Sequence, residues 1–289
     1  MNVLITGANG QLGRELQVAA PAWATVIAVD AEQLDITDAA SVHDWVHEFV
    51  PELVINAAAY TAVDQAESEP VLAHLVNAAG VGHLAAVAQF VGARFIHVST
   101  DFVFSGRKSL PYLPTDPAAP LSVYGASKLA GEHQAIALTD GQALVFRTAW
   151  LYSAGGENFV NTMLRLMRER EWLGIVADQI GTPTWARTLA EAIWVAATRP
   201  RLKGIYHWTD NGVASWYDFA MAIQEEALAL DILTHPIPIR PICTKDYPTP
   251  ARRPAYSVLN KSSSCHDLAL AGRHWRGALR AMLSEEYDA

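Results

Sequence analysis

The stretch Val3–Gly13, VLITGANGQLG, joins a short apolar run to Gly7, Gly10 and Gly13. The run predicts a buried strand, and the amphipathic residues Gln11–Ala19 predict a helix directly after the turn. Glycines in so tight a turn let backbone N–H groups and the helix N-terminus approach a pyrophosphate, because no Cβ intervenes. The stretch therefore predicts a dinucleotide site at these three glycines, with a purely structural glycine turn as the alternative.

Strand and helix patterns alternate along the first half of the chain. Strands are predicted at Thr25–Asp30, Leu53–Asn56, Arg94–Ser99 and Ala143–Tyr152, and helices at Asp38–Phe49, Pro70–Phe90 and Ser122–Leu138. This alternation predicts parallel strands joined by crossover helices, and hence an α/β fold with a Rossmann-type doubly wound parallel sheet. Gly80 and Gly82 are expected to break the helix that contains them, and the proline-rich stretch Gly106–Pro120 is expected to be an exposed loop.

The chain of 289 residues is long enough for two domains of about 150 residues each. The expected dinucleotide-binding domain comprises residues 1–150 and a returning segment at about 176–209. Residues of about 151–175 and 210–289 are expected to form a smaller substrate-binding domain. It is expected to be less regular, because prolines interrupt the pattern from Asp231 onward.

Composition excludes several classes of function. The chain is 51% hydrophobic and 18% charged, which is typical of an ordered globular protein. Thirty Asp and Glu against 21 Lys and Arg give a net charge of −9, which opposes binding to nucleic acid. Neither the two cysteines nor the pair His43 and His47 has the further ligand that a metal site needs, so no catalytic metal is predicted. The sequence shows no signal-peptide pattern and no uninterrupted apolar run of about 20 residues, so we expect a cytoplasmic protein without a membrane partner.

Asp30 ends the second predicted strand, at the position where a carboxylate accepts hydrogen bonds from adenine-ribose hydroxyls. An acid there repels a 2′-phosphate, so Asp30 favours NADH over NADPH. A helix-capping or surface Asp is the alternative interpretation.

Tyr124 and Lys128 are four residues apart on a predicted helix, so the phenol and the ammonium share one face. A free tyrosine has a pKa of about 10, and a nearby cation stabilises the phenolate. Thr100 follows the fourth predicted strand, at the sheet edge where ligands bind in open parallel sheets. Its hydroxyl can orient a carbonyl oxygen that Tyr124 protonates, so together these residues predict a hydride-transfer site.

The glycine turn and these catalytic candidates resemble the extended short-chain dehydrogenase/reductases, and more closely the dTDP-4-dehydrorhamnose reductase family. The longer blocks that carry the closer resemblance are NAAAYTAVDQAESEP (56–70), STDFVF (99–104), YGASKLAGE (124–132), RTAWLY (147–152), DQIGTPT (178–184) and YPTPARRP (247–254). The resemblance implies NADPH- or NADH-dependent reduction of the 4-keto group of dTDP-4-dehydro-β-L-rhamnose to dTDP-L-rhamnose. This product serves cell-surface polysaccharide such as the O-antigen of lipopolysaccharide.

The resemblance also implies roles for individual residues. Tyr124 would donate the proton, Thr100 would orient the keto oxygen, and Lys128 would bind the nicotinamide ribose and tune Tyr124. Further cofactor contacts are implied at Gly10, Gln11, Leu12, Asp30, Asp35, Ile36, Ala59, Tyr60 and Thr61, and substrate contacts at Thr100, Asp101 and Trp150. Three other residues are candidates for the substrate's diphosphate or thymine, with structural roles as the alternative: Asn158, Phe159 and Arg253.

Two alternative functions stay open at this point, and a third is disfavoured. Similar dehydratases follow the Thr-Asp pair with Glu, whereas Phe102 stands here, so elimination lacks its base and a simple reductase is favoured. A non-catalytic NADP(H)-binding regulatory subunit, or a reductase of another nucleotide-linked 4-keto-6-deoxy sugar, would fit the same scaffold. The resemblance also leaves open a homodimer with a structural Mg²⁺ near Glu15 and Glu191.

Overall fold

The computed structural model describes residues 1–287, so the last two residues of the predicted 210–289 segment lie outside the described part. Its strands are β1 (Asn2–Thr6), β2 (Thr25–Val29), β3 (Leu53–Asn56), β4 (Arg94–Thr100), β5 (Leu144–Thr148), β6 (Leu151–Tyr152), β7 (Leu173–Val176), β8 (Ile180–Gly181), β9 (Thr184–Trp185), β10 (Gly204–His207), β11 (Ala214–Ser215) and β12 (Ile239–Ile242). Its helices are α1 (Gln11–Val18), α2 (Ala39–Phe49), α3 (Pro70–His74), α4 (Val81–Val91), α5 (Val123–Leu138), α6 (Phe159–Glu169), α7 (Ala186–Ala197), α8 (Trp216–Ala229), α9 (Ser262–Leu268) and α10 (Trp275–Tyr287).

Six parallel strands form the central sheet, in the order β10-β5-β4-β3-β1-β2. The chain first adds β2 on one side of β1 and then adds β3 on the other, so the strand order reverses at β1. In such sheets ligands bind in the crevice outside the carboxyl ends of the strands, at this switch point. The predicted α/β class with a doubly wound parallel sheet is confirmed.

Helices cover both faces of the sheet, which explains why its strands read as apolar runs in the sequence. Alternate residues of β1 point to opposite faces. Val3 and Ile5 pack into a core with α1 and α7, while Leu4 packs with α2 and α4 on the other face. A further core lies beyond the sheet and is formed by α6, α8, α10 and the residues around them.

The predicted break at Gly80 and Gly82 is wrong. The helix continues from Pro70 to Val91, and Leu75–Gly80 between α3 and α4 is π-helical. This stretch is long and apolar enough for a membrane span by length and composition alone. In the fold it packs against α2 and α5. Helix α5 approaches this π-helical turn so closely that a Cβ on Gly131 would lie 2.0 Å from the Asn77 carbonyl oxygen.

The predicted single strand over Ala143–Tyr152 is also wrong, because the chain turns at Trp150. This residue has φ of 49°, a left-handed conformation that ends sheet pairing, so β6 is separate from β5 and pairs with β9 instead.

The loop Gly106–Pro120 is anchored rather than exposed throughout. The Tyr112 ring is buried and stacks on Phe104 with centroids 4.1 Å apart, and its backbone N–H donates to Val258 O at 2.8 Å. The segment after Asp231 contains one strand and two helices, β12, α9 and α10, and is more regular than predicted.

We expect Gly131→Ala to lower the free energy of unfolding by about 1–3 kcal/mol, because the added methyl group must displace backbone at Asn77. Gly277→Ala is the matched control: it lies in α10 with no atom within 4 Å of its Cβ position, and the better helix former should gain up to about 1 kcal/mol. Urea unfolding of both variants measures the difference. Equal effects would contradict the close packing of α5.

Candidate active site

A cleft of about 640 Å³ runs along the carboxyl ends of the central strands. Gly7, Gly10, Gln11 and Leu12 line one end of it. A Cβ on Gly7 would lie 2.6 Å from Ala58 N, and the φ of Gly7 is 77°, so this position requires glycine. Gly7 therefore forms the tight turn before α1, and a phosphate group bound in the cleft would meet the start of this helix.

Gly13 acts differently from the first two glycines. A Cβ there would lie 2.0 Å from Gly7 O, so Gly13 lets α1 pack closely against the turn. It is not among the residues that line the cleft.

The predicted adenosine contacts Asp30, Asp35 and Ile36 all line the same cleft. Asp30 lies just after β2 and accepts hydrogen bonds from the Asn9 amide and from Glu32 N, the latter at 3.1 Å. A carboxylate in this position is available to ribose hydroxyls at the cleft surface.

Of the predicted contacts after β3, Ala59 and Thr61 line the cleft, but Tyr60 does not. The Tyr60 phenol donates to Glu69 at 2.7 Å. Its backbone is held by the side chain of Asn77, which accepts from Tyr60 N at 2.9 Å and donates to Tyr60 O at 3.0 Å. Asn77 was not identified from the sequence, where its signal is an amide among mainly apolar residues of a helix.

Thr100, Tyr124 and Lys128 all line this cleft. Helix α5 begins at the predicted cap, where Ser122 Oγ accepts from Gly125 N at 3.1 Å. A Cβ on Gly125 would lie 2.3 Å from Phe102 O, so the first turn of α5 rests directly on the backbone after β4. This contact brings residues of two elements together.

Burial sets the protonation states of Tyr124 and Lys128. It raises the pKa of Tyr124 to about 12, with a contribution from the Asp101 charge, while a hydrogen bond from Thr100 acts in the opposite direction. It lowers the pKa of Lys128 to about 8. The Lys128 ammonium donates to Val98 O at 2.7 Å. Desolvation is the largest influence on the Tyr124 pKa in this structure, so the phenol keeps its proton at neutral pH.

Asp101 is a buried carboxyl in the same cleft. One oxygen accepts from Thr100 Oγ1 at 3.1 Å, and the other has no partner among the described residues. Burial raises its pKa to about 6. A carboxyl in this state is well suited to accept or donate a hydrogen bond to a ligand hydroxyl.

Trp150 lines the cleft and stacks on Trp216, with ring centroids 3.6 Å apart and planes 6° apart. The ring lies so close to β8 that a Cβ on Gly181 would lie 2.5 Å from it. Trp216 also lines a second cavity of about 880 Å³, between α6, β7 and the loop around Tyr247. Nothing in the sequence pointed to Trp216, which lines both cavities.

The two predicted ligand residues at the start of α6, Asn158 and Phe159, have different positions in the structure. Phe159 lines the second cavity. The Asn158 side chain instead caps the helix, since its oxygen accepts from Asn161 N at 3.1 Å and its nitrogen donates to Ser153 O at 2.9 Å.

Arg253 lines both cavities and is held by Asp64. Its two terminal nitrogens donate to the two oxygens of Asp64 at 3.0 and 2.8 Å, and the first also donates to Thr249 Oγ1 at 2.5 Å. The guanidinium lowers the pKa of Asp64. Asp64 was not identified as a site residue, although it lies in the quoted block of residues 56–70.

Within residues 1–287, no group of three or more potential metal ligands is found. The Glu15 carboxylate is paired with Arg187, which also approaches Glu285 at 3.5 Å. Glu191 is exposed. Glu15, one of the two acids that the resemblance connected with a Mg²⁺, thus has a cationic partner inside the chain.

The family model described as the RmlD substrate binding domain matches residues 1–287. The chain is 43% identical over 293 residues to a dTDP-4-dehydrorhamnose reductase of Escherichia coli K12, which covers 99% of this chain and 98% of that relative. It is 44% identical over 290 residues to the enzyme of that name from Burkholderia thailandensis, with 96% and 97% covered. A solved structure of dTDP-4-dehydrorhamnose reductase from Bacillus anthracis in complex with NADP has a TM-score of 0.93 at 38% identity, with 98% and 99% covered.

We expect Asp101→Asn to raise the free energy of unfolding at pH 7. The folded-state pKa of about 6 lies above the ordinary 3.8, so the buried carboxylate costs up to about 3 kcal/mol at pH 7. This cost disappears as the pH falls from 6 to 4, because the folded carboxyl is then protonated. Urea unfolding at pH 7 and pH 4 measures it, and a difference independent of pH would contradict the assigned burial.

Proposed function

The chain belongs to the RmlD substrate binding domain family, together with the dTDP-4-dehydrorhamnose reductases that it matches at full length, and on that premise we propose that it reduces the 4-keto group of dTDP-4-dehydro-β-L-rhamnose. The product would be dTDP-L-rhamnose, for cell-surface polysaccharide. The observation that carries the proposal is that Thr100, Tyr124 and Lys128 converge on one cleft beside an open glycine turn.

The cleft fits a nicotinamide dinucleotide as cofactor. The glycine turn leaves backbone open for the pyrophosphate, Asp30 and Asp35 lie at the adenosine end, and Lys128 lies at the reacting end. When bound, the reduced nicotinamide supplies the hydride that the keto carbon accepts. Because a relative with 38% identity binds NADP, we propose that either NADPH or NADH serves and that Asp30 does not exclude NADPH.

Tyr124 is the proton donor in this proposal. Its phenol is protonated at neutral pH, and its O–H can donate to the keto oxygen while the Thr100 hydroxyl orients that oxygen. Proton transfer leaves negative charge on the phenol oxygen, which the Thr100 hydroxyl and the charged Lys128 stabilise. Lys128 also holds the ribose hydroxyls of the cofactor.

The sugar nucleotide extends from the cleft into the second cavity in this proposal. Asp101 and Trp150 contact the sugar, Arg253 at the junction binds the diphosphate, and Phe159 contacts the base. The domain division follows: residues 1–150 with about 176–209 hold the dinucleotide, and the remainder holds the sugar nucleotide. The separate apolar core around α6, α8 and α10 supports this division.

A catalytic role is favoured over the regulatory alternative because a binding subunit does not need a hydroxyl, a phenol and an ammonium in one cleft. Phe102 lies beside Asp101 and supplies no base for elimination. A cytoplasmic enzyme without a nucleic-acid or membrane partner is consistent with the net charge of −9 and a dTDP-sugar substrate. A homodimer remains an expectation from the resemblance.

The test is NADPH and NADH oxidation, followed by absorbance, with dTDP-4-dehydro-β-L-rhamnose generated by the preceding dehydratase and epimerase. We expect oxidation that depends on both upstream enzymes, with dTDP-L-rhamnose as product. Cofactor binding without oxidation would favour the regulatory alternative, and oxidation with a different 4-keto-6-deoxy sugar nucleotide would change the substrate.

We expect Tyr124→Phe to lower kcat by at least about 100-fold, because the proton donor is lost while the ring still fills its site. NADPH affinity, measured by fluorescence titration, should change little. Thr100→Val is the companion variant, in which the proton donor remains but the oxygen is no longer oriented. Full activity of Tyr124→Phe would refute the assigned proton donor.

We expect Asp64→Asn to raise the KM for the sugar nucleotide by about tenfold with little change in kcat or NADPH affinity. The amide cannot hold the Arg253 guanidinium through two charge-assisted bonds, so the diphosphate meets a poorly fixed partner. Arg253→Lys should raise the same KM. Asp116→Asn, which breaks the ion pair with Lys108 outside both cavities, is the control and should leave KM unchanged.

A further inference from the structure

Glu132 lies one helical turn beyond Lys128 on α5, and its side chain is fully buried. One carboxylate oxygen accepts from Ser99 Oγ at 2.5 Å and from Arg147 Nε at 2.8 Å. The other accepts from Arg147 Nη2 at 2.6 Å. A single carboxylate thus connects a helix with two strands of the sheet.

The two partners of Glu132 are opposite each other in the sheet. Ser99 on β4 pairs in register with Arg147 on β5, and the next pair is Thr100 and Thr148. Both residues of that next pair line the cleft. Glu132 therefore contacts the residue pair that precedes Thr100 and Thr148 in the two strands. It does so from α5, the helix that carries Tyr124 and Lys128.

We propose that Glu132 is a positioning residue of the reductase, which fixes α5 in register with the ends of β4 and β5 and holds a carboxylate on the helix one turn beyond Lys128. The inference rests on the proposed function for its catalytic part. It makes Ser99, which lines the cleft, and Arg147 members of the same unit.

The charge of this carboxylate also acts on Lys128. Glu132 on its own helix favours the protonated form, against burial. His97 on β4 is buried and neutral, because desolvation lowers its pKa well below 6.5 and Lys128 lowers it further. Tyr124 and Asp101 share the cleft with Lys128. Among the groups that shift the Lys128 pKa, the Glu132 carboxylate is the one that opposes loss of its proton.

A role in stability alone would not require this arrangement. Burying a carboxylate and a guanidinium costs desolvation that their attraction repays only in part, and apolar residues of similar volume are often as stable. The ion pair instead fixes the orientation of α5 relative to β5, because a guanidinium binds a carboxylate through two parallel hydrogen bonds in one geometry.

The experiment compares Glu132→Gln, which removes the charge, with Glu132→Asp, which keeps the charge but shortens the reach. For Glu132→Gln we expect the alkaline limb of the kcat/KM profile to move to lower pH by about one pH unit, because Lys128 loses its proton more easily. For Glu132→Asp we expect this limb to stay while kcat falls by about tenfold, because α5 loses its contact with one strand.

Glu226→Gln is the matched control. Glu226 is equally buried and accepts from Arg276 and Arg280, but it lies on α8, away from the cleft. We expect this variant to lose stability without any change in kcat or in the pH profile. If Glu132→Gln does not fold, Glu132→Gln/Arg147→Met removes the uncompensated guanidinium and is measured in its place.

A second readout does not depend on the sugar. The dissociation constant for NADPH is measured by fluorescence from pH 6 to pH 10. It should increase as the pH rises and Lys128 loses its proton, because Lys128 holds the ribose. In Glu132→Gln this increase should begin at a lower pH than in the unaltered protein. If the unaltered protein binds NADPH but reduces no sugar, the proposed function fails while this readout still tests Glu132. The inference is overturned if Glu132→Gln behaves like Glu226→Gln in both readouts.

Discussion

The close packing of α5 on the ends of the sheet is the constraint on which the site depends. Gly125 rests on the backbone after β4, and Gly131 rests on the π-helical turn at Asn77, with no room for a methyl group at either position. Because of these contacts, the face of α5 that carries Tyr124 and Lys128 meets the strand end that carries Thr100. A wider separation would leave the same residues exposed and unconnected.

Burial then determines the chemistry. Desolvation disfavours charge on every titratable group, so it raises the pKa values of Tyr124 and Asp101 and lowers that of Lys128. The phenol is consequently held in its proton-donating form, and the amine stays cationic only up to about pH 8. A site of this kind suits transfer of a proton to a ligand oxygen better than abstraction of a proton from carbon.

The second cavity is connected to the cleft through two residues that line both, Trp216 and Arg253. One is fixed by stacking on Trp150 and the other by its bonds to Asp64. Asp64 follows β3 of the central sheet, so the position of Arg253 depends on a residue from the other half of the chain. A ligand that spans the two cavities would meet groups already oriented by the fold.

The sequence by itself determined the α/β class, most strand and helix positions, the glycine turn and the catalytic candidates, because period, turn glycines and helix spacing are local properties. It did not determine the π-helical turn Leu75–Gly80, which packs against Gly131 of α5, or the turn at Trp150, after which β6 pairs with β9. Asn158 was expected at the ligand and caps a helix instead, while Asp64, Asn77 and Trp216 were missed. The partners of Asn77 and Asp64 lie 17 and 189 residues away in the chain, and Trp216 stacks on the distant Trp150. Only the tertiary structure decided these pairings, since hydrogen bonds and desolvation depend on which groups meet in space.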